Sequence, residues 1–107
     1  MNEFTKRGEA FEKRFAHEEG LRFKAIARRN RLVGLWAAER LGKSGADAEA
    51  YASAIVIADL EEPGHDDVIR KIVTDFEAAN VPLDESDVRR VLEKQMTAAK
   101  NEVKAVS

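Results

Sequence analysis

The 107-residue chain contains no cysteine. Disulfides and thiolate metal sites are therefore excluded, and an intracellular compartment is the natural expectation. Proline occurs twice, at Pro63 and Pro82, so elsewhere nothing of that kind interrupts a helix. No apolar run approaches the ~20 residues of a membrane-spanning helix. The first twenty residues, MNEFTKRGEAFEKRFAHEEG, are too charged for the apolar centre of a signal peptide. A soluble cytoplasmic chain with no direct membrane insertion is expected. Chemistry is equally sparse: there is no glycine-rich loop ending in GKS or GKT, no GxSxG elbow and no cysteine nucleophile. The two histidines, His17 and His65, belong to no metal motif. The acid pairs Glu61 with Glu62 and Asp66 with Asp67 fall near expected helix ends, where capping and solvation account for them. No catalytic residue, metal or enzymatic activity is expected.

What is present is charge and helical periodicity. A length of 107 residues suits one domain, large enough to fold alone. The net charge of −2 argues against a generic nucleic-acid coat, yet the distribution is uneven. Residues 1 to 31 carry nine Lys or Arg against five Asp or Glu, while the remainder is acidic. Much of the asymmetry is one cluster, Arg22, Lys24, Arg28, Arg29 and Arg31. Its plainest role is a helix face that pairs with the acidic helices of the same chain; contact with a partner or a phosphate is the alternative.

The strongest helix signal is Phe23 to Leu41, where Ile26, Val33 and Trp36 recur at helical intervals and Gly42 supplies a stop. Trp36 reads as an anchor of the core. The preceding twenty residues are also helical in pattern, with Glu3 before Arg7 and Glu9 before Lys13, but Gly8 and Gly20 weaken them. Phe4, Phe11 and Phe15 are separated by seven and four residues, and on an unbroken helix they stay in phase with Ile26, Val33 and Trp36. Glu18, Glu19 and Gly20 form the join, where such a helix could hinge. Three further helices follow. The second begins near Ser44, whose hydroxyl is placed to cap Asp47, and exposes Ala48, Tyr51, Ala52 and Ile55 to the core, with Val56 and Ile57 suggesting burial on a further side. Glu61, Glu62, Pro63 and Gly64 end it. The third is written by Val68, Ile69, Ile72, Val73 and Phe76. The last opens at Asp84 with Asp87 three residues on and carries Val88, Val91, Leu92, Met96, Ala99 and Val103. Short connections favour antiparallel neighbours, so the predicted fold is all-α, a small four-helix bundle with a mobile, conditionally helical N-terminal segment. The two parts divide at residues 1–20 and 21–107.

Three stretches, AFEKRFAHEE, FKAIARRNRLVGLWAAERLG and ADLEEPGHDDVIRK, occur in this order and at one characteristic spacing. Together they resemble the zeta subunit of the alphaproteobacterial F-type ATP synthase, and the resemblance covers nearly the whole chain. His65 departs from the family, which tends to carry an acid there. The resemblance implies a small four-helix inhibitor of ATP hydrolysis, monomeric when free, located at the cytoplasmic face of the inner membrane through the synthase. Its implied partner is the catalytic head, made of alpha, beta and gamma subunits. The family's inhibitory region corresponds to Asn2 to Glu19 here, an N-terminal segment expected to be partly disordered when free. Phe4, Phe11 and Phe15 are the expected anchors in an alpha/beta interface facing gamma, and Lys6, Arg7, Lys13 and Arg14 the expected polar contacts. No cofactor is implied beyond weak adenine-nucleotide binding, for which Lys24, Arg28 and Arg31 are candidate phosphate contacts. Two rivals from other classes are a helical nucleic-acid-binding module using the Arg22 to Arg31 cluster, and a self-associating protein that pairs its N-terminal stripes.

Overall fold

The computed structural model describes residues 3–60 and 64–106, with side chains described over 18–60 and 64–104. Four helices account for almost all of it: α1 (Glu3–Arg40), α2 (Gly45–Ala58), α3 (Asp66–Ala78) and α4 (Glu85–Val106). No strand occurs among the described residues. The fold is all-α, as the periodicity predicts.

α1 is the spine. α2 and α4 pack principally on α1, and α3 closes the assembly against α2 and α4. The core is apolar where these meet: Val33 and Ala37 of α1, Ile55 of α2, Val68, Ile69, Ile72 and Phe76 of α3, and Val88 and Leu92 of α4. Phe76 is the largest side chain wholly removed from water. Every member of the expected α3 stripe therefore faces inward, with Val73 packed at the margin. At 1.5 Å per residue, burying one such stripe on a helix of 13 residues ties down roughly 20 Å of chain.

Side-chain size allows α1 and α2 to approach closely. A Cβ placed on Gly34 would lie 2.7 Å from the Cα of Ala52 and 3.2 Å from its Cβ. Two small residues thus face each other, which leaves the backbones nearly in contact.

The helix ends show which local signals acted. After α1, Lys43 N–H donates to the Ala38 carbonyl (2.9 Å) and Gly42 N–H to that of Glu39 (3.1 Å), with Gly42 at φ 79°. This is a complete Schellman closure, and it uses the glycine for its left-handed backbone. α3 ends the same way on Asn80, at φ 58°, with Val81 N–H donating to Phe76 and Asn80 N–H to Glu77. Pro82 was the expected breaker, but the turn itself is made two residues earlier, by an asparagine that tolerates the left-handed region. α4 begins with reciprocal bonds: Asp87 N–H donates to Asp84 Oδ1 (3.1 Å) and Asp84 N–H to Asp87 Oδ2 (2.9 Å). The expected cap at Ser44 does not form. Ser44 occupies the position before α2 but its hydroxyl caps nothing, because Gly45 follows at φ 56° and turns the first residue of the helix out of ordinary helical geometry. Burial of α2 on more than one side is also not realised: Ile55 is fully buried, but Ile57 is 59% exposed. Glu61, Glu62 and Pro63 lie outside the described residues.

Length sets the shape. α1 has 38 residues, roughly 57 Å, whereas α4 has 22, roughly 33 Å, and α2 and α3 about 20 Å each. The molecule measures 65 × 25 × 20 Å, with a radius of gyration of 17.5 Å. A compact chain of this length would have a radius near 13 Å. The excess comes from α1, which passes through Glu18, Glu19 and Gly20 as helix and extends beyond its neighbours.

Candidate functional site

The distinctive region is the root of the projection, where α1 leaves the shelter of the other helices. The basic cluster of the sequence lies here. Arg28 Nε donates to Glu102 Oε2 of α4 at 2.6 Å, and Arg31 Nη2 donates to Glu49 Oε2 of α2. These two cations are thus turned toward different helices. Lys24 is exposed. The three residues named as phosphate contacts share one face of α1, and two of them are engaged by acids of different helices. Exposed pairs of this kind contribute at most about 1 kcal/mol each, so they orient α1 more than they stabilise it.

Arg29 and Asn30 are a different matter. Both are buried, at 8% and 1% exposed. Arg29 donates through Nε and Nη2 to Asn30 Oδ1 at 3.1 and 2.9 Å, and Asn30 Nδ2 donates to Asp59 Oδ2 at 2.9 Å. Arg29 Nη2 also stands 3.8 Å from Asp59 Oδ2. Burial pushes the guanidinium below its ordinary value and the Asp59 charge opposes this. Asp59 is the residue that ends α2, so the chain Arg29–Asn30–Asp59 ties α1 to the last turn of α2. Nothing in the local sequence announces it. Asn30 sits between two arginines in a run that looks solvated, and only the three-dimensional position of Asp59 makes burial tolerable.

Nearer the start of α2, Tyr51 bridges to α3: its hydroxyl donates to Asp75 Oδ2 at 2.7 Å, while Lys43 and Lys71 lie 5.9 and 5.4 Å from its ring centre. Burial first, and the Asp75 hydrogen bond second, push the phenol upward. Trp36 meets Phe76 edge to face, centroids 5.6 Å apart at 71°. It is partly rather than fully buried, so it borders the core instead of filling it. Its outer side lines a cleft of about 610 Å³ with Arg40, Val81, Pro82 and Arg90.

At the other end of the body, α1 and α4 leave a groove of about 460 Å³. Leu21 and Ala25 of α1 and Met96 and Val103 of α4 supply its apolar lining; Arg22, Lys100 and Lys104 stand around it with one acid, Glu18. Nearby on α1, Phe23 is 63% exposed.

The side chains of Phe4, Lys6, Arg7, Phe11, Lys13, Arg14 and Phe15 lie outside the described ones. The structure places their backbone on the projecting part of α1. Among the described residues no group of three or more acids, histidines or cysteines could hold a metal ion, and no helix is long and apolar enough to cross a membrane.

Comparisons with known proteins agree with this architecture. The model of the family described as ATPase inhibitor subunit zeta matches residues 1–102. A solution NMR structure is similar at a TM-score of 0.71 and 47% identity, covering 81% of this chain and 99% of its own. No curated protein matches.

Proposed function

The chain belongs to the ATPase inhibitor subunit zeta family, and from that premise we propose that it restrains ATP hydrolysis by an F-type ATP synthase through the projecting half of α1. The segment enters the catalytic head at an alpha/beta interface beside gamma and obstructs rotation in the hydrolytic direction. ATP is then conserved when the proton gradient falls. In this division of labour residues 1–20 are the inhibitory segment and 21–107 the body that holds it, at the cytoplasmic face of the membrane that carries the synthase.

The observation that carries this reading is the length of α1. A helix of roughly 57 Å on a body whose other helices span about 20 to 33 Å leaves several turns that those helices are too short to cover. Those turns are not written as a solvated surface: Phe4, Phe11 and Phe15 form one stripe, at spacings by which an amphipathic helix occupies a groove. A backbone already helical from Glu3 has less freedom to lose on docking, where ordering costs about 1 to 2 kcal/mol per residue. At about 100° per residue Arg7 and Arg14 fall beside the stripe and Lys6 and Lys13 on the face opposite it, and all four are the proposed polar contacts.

Replacing all three phenylalanines by alanine tests the anchors. Each buried Phe contributes about 1.5 to 3 kcal/mol. The triple variant, with thermal stability retained, should therefore inhibit ATP hydrolysis more than a hundredfold less potently. Equal potency would remove the stripe from the interface.

A further inference from the structure

About half of the cations with described side chains are answered by acids. Arg28, Arg29, Arg31, Arg70, Lys71, Arg89 and Arg90 all stand within 4 Å of a carboxylate oxygen. Arg22, Lys100 and Lys104 take part in none of these pairs, and the three converge on the mouth of one groove, between α1 and α4. The floor beneath them is apolar, with Leu21 and Met96 partly open to solvent above Ala25 and Val103. We infer that this groove is a second docking surface, which takes an acidic amphipathic helix of the catalytic head. This rests on the inhibitory reading only for the identity of the partner.

The geometry specifies the occupant's chemistry. Lys100 and Lys104 are four residues apart, hence one turn apart on the same face of α4, and Arg22 faces them from α1. A third helix laid between α1 and α4 meets an apolar floor with one side chain per turn and presents acids to both flanks. Helix-in-groove recognition uses such an apolar face, and the cationic rim favours acids beside it. One acid, Glu18, stands at the mouth, so the balance of the lining stays cationic. The location adds a second argument. α4 runs antiparallel to α1, with Val91 near Trp36 and Lys104 near Arg22, so its C-terminal end lies where the uncovered part of α1 begins. A partner that grips the projection arrives at the groove without a gap. The surface therefore sets affinity and approach, since a charged rim acts chiefly on association and its dependence on salt, while the projection blocks.

The test is the affinity of the full chain for the catalytic head, measured directly with a labelled protein and separately from hydrolysis, at low and high salt. Arg22→Glu, Lys100→Glu and Lys104→Glu are combined in one variant. All three side chains are exposed and outside the ion pairs among the described residues, so the fold is expected to persist, which circular dichroism checks. Lys94→Glu, on an exposed residue of α4 that does not line the groove, is the control. The triple variant should bind at least tenfold more weakly and lose most of the salt dependence, while Lys94→Glu stays within twofold of the unaltered chain. A triple variant that binds as tightly as the control overturns the groove. So does a salt-sensitive dimer of the unaltered chain that the triple substitution abolishes, because the occupant is then a second copy. Binding that depends on the groove while hydrolysis continues would sink the inhibitory reading and keep the groove; potent inhibition with affinity indifferent to the three charges would do the reverse.

Discussion

At the scale of residues, Gly34 decides how closely α1 and α2 approach. Alanine there gains roughly 1 kcal/mol of helix propensity, but its methyl would sit 2.7 Å from a backbone carbon of Ala52, which only a shift of one helix relieves. The clash outweighs the propensity, so Gly34→Ala should destabilise the protein by about 1 to 3 kcal/mol in a denaturant titration. A neutral or stabilising result would mean that the helices are farther apart than described. Asp87 offers a prediction in pH. The Asp84 N–H that donates to it holds its carboxyl below the ordinary 3.8, helped by Arg90. A depressed folded value means stability that is present above about 3.8 and lost as pH falls through the folded value. Asp87→Asn should thus lower the melting temperature at neutral pH, and the gap between variant and unaltered protein should narrow on acidification below that point. A gap that widens in acid would contradict the assignment. The two residues differ in legibility. Asp84 and Asp87 announce a cap by type and spacing, whereas Gly34 has no side chain to enter a periodic pattern and its partner is 18 positions away.

At the scale of elements, the stripes of α3 and α4 were legible because each helix buries one face and its apolar residues recur at the helical period. Trp36 was read correctly as packed on the core but too deeply: tryptophan's size suggests the centre, and Phe76 takes that place. Arg29 and Asn30 were illegible, since charge within a basic run predicts solvent, and their burial depends on Asp59 arriving from another helix. Ser44 had the right type and position for a cap, and the backbone of Gly45 overrode it. Gly20 tests the continuity of α1. A Cβ there would meet nothing within 4 Å, so Gly20→Ala introduces no clash and adds up to about 1 kcal/mol of helix propensity. The variant should gain ellipticity at 222 nm and melt no lower than the unaltered chain. If residues 18–20 serve as a hinge during docking, inhibition by this variant changes while its stability does not fall; a large loss of stability would show that Gly20 is packed.

At the scale of the molecule, charge and length combine. The acidic half of the chain answers much of the basic cluster, through Glu49 and Glu102, and three of the cations outside these pairs, Arg22, Lys100 and Lys104, meet at the α1–α4 groove. A 65 Å long axis places the groove and the projecting helix in series, which suits a body that holds and a segment that blocks. The disproportion was legible from the sequence, because three helices of roughly 20 to 33 Å cannot cover one of roughly 57 Å. The end left over was legible too, because the division at residue 20 puts the excess at the N-terminus; that α1 runs unbroken through Glu18, Glu19 and Gly20 was not. The most direct test of the account is ATP hydrolysis by the cognate synthase's catalytic head, freed of its own inhibitor, in the presence of the full chain and of a version that begins at Leu21. The account predicts inhibition by the full chain and none by the shortened one, with circular dichroism showing the body still helical. Full inhibition by the version starting at Leu21 would contradict it, for the blocking element would then lie in the body and not in the projecting half of α1.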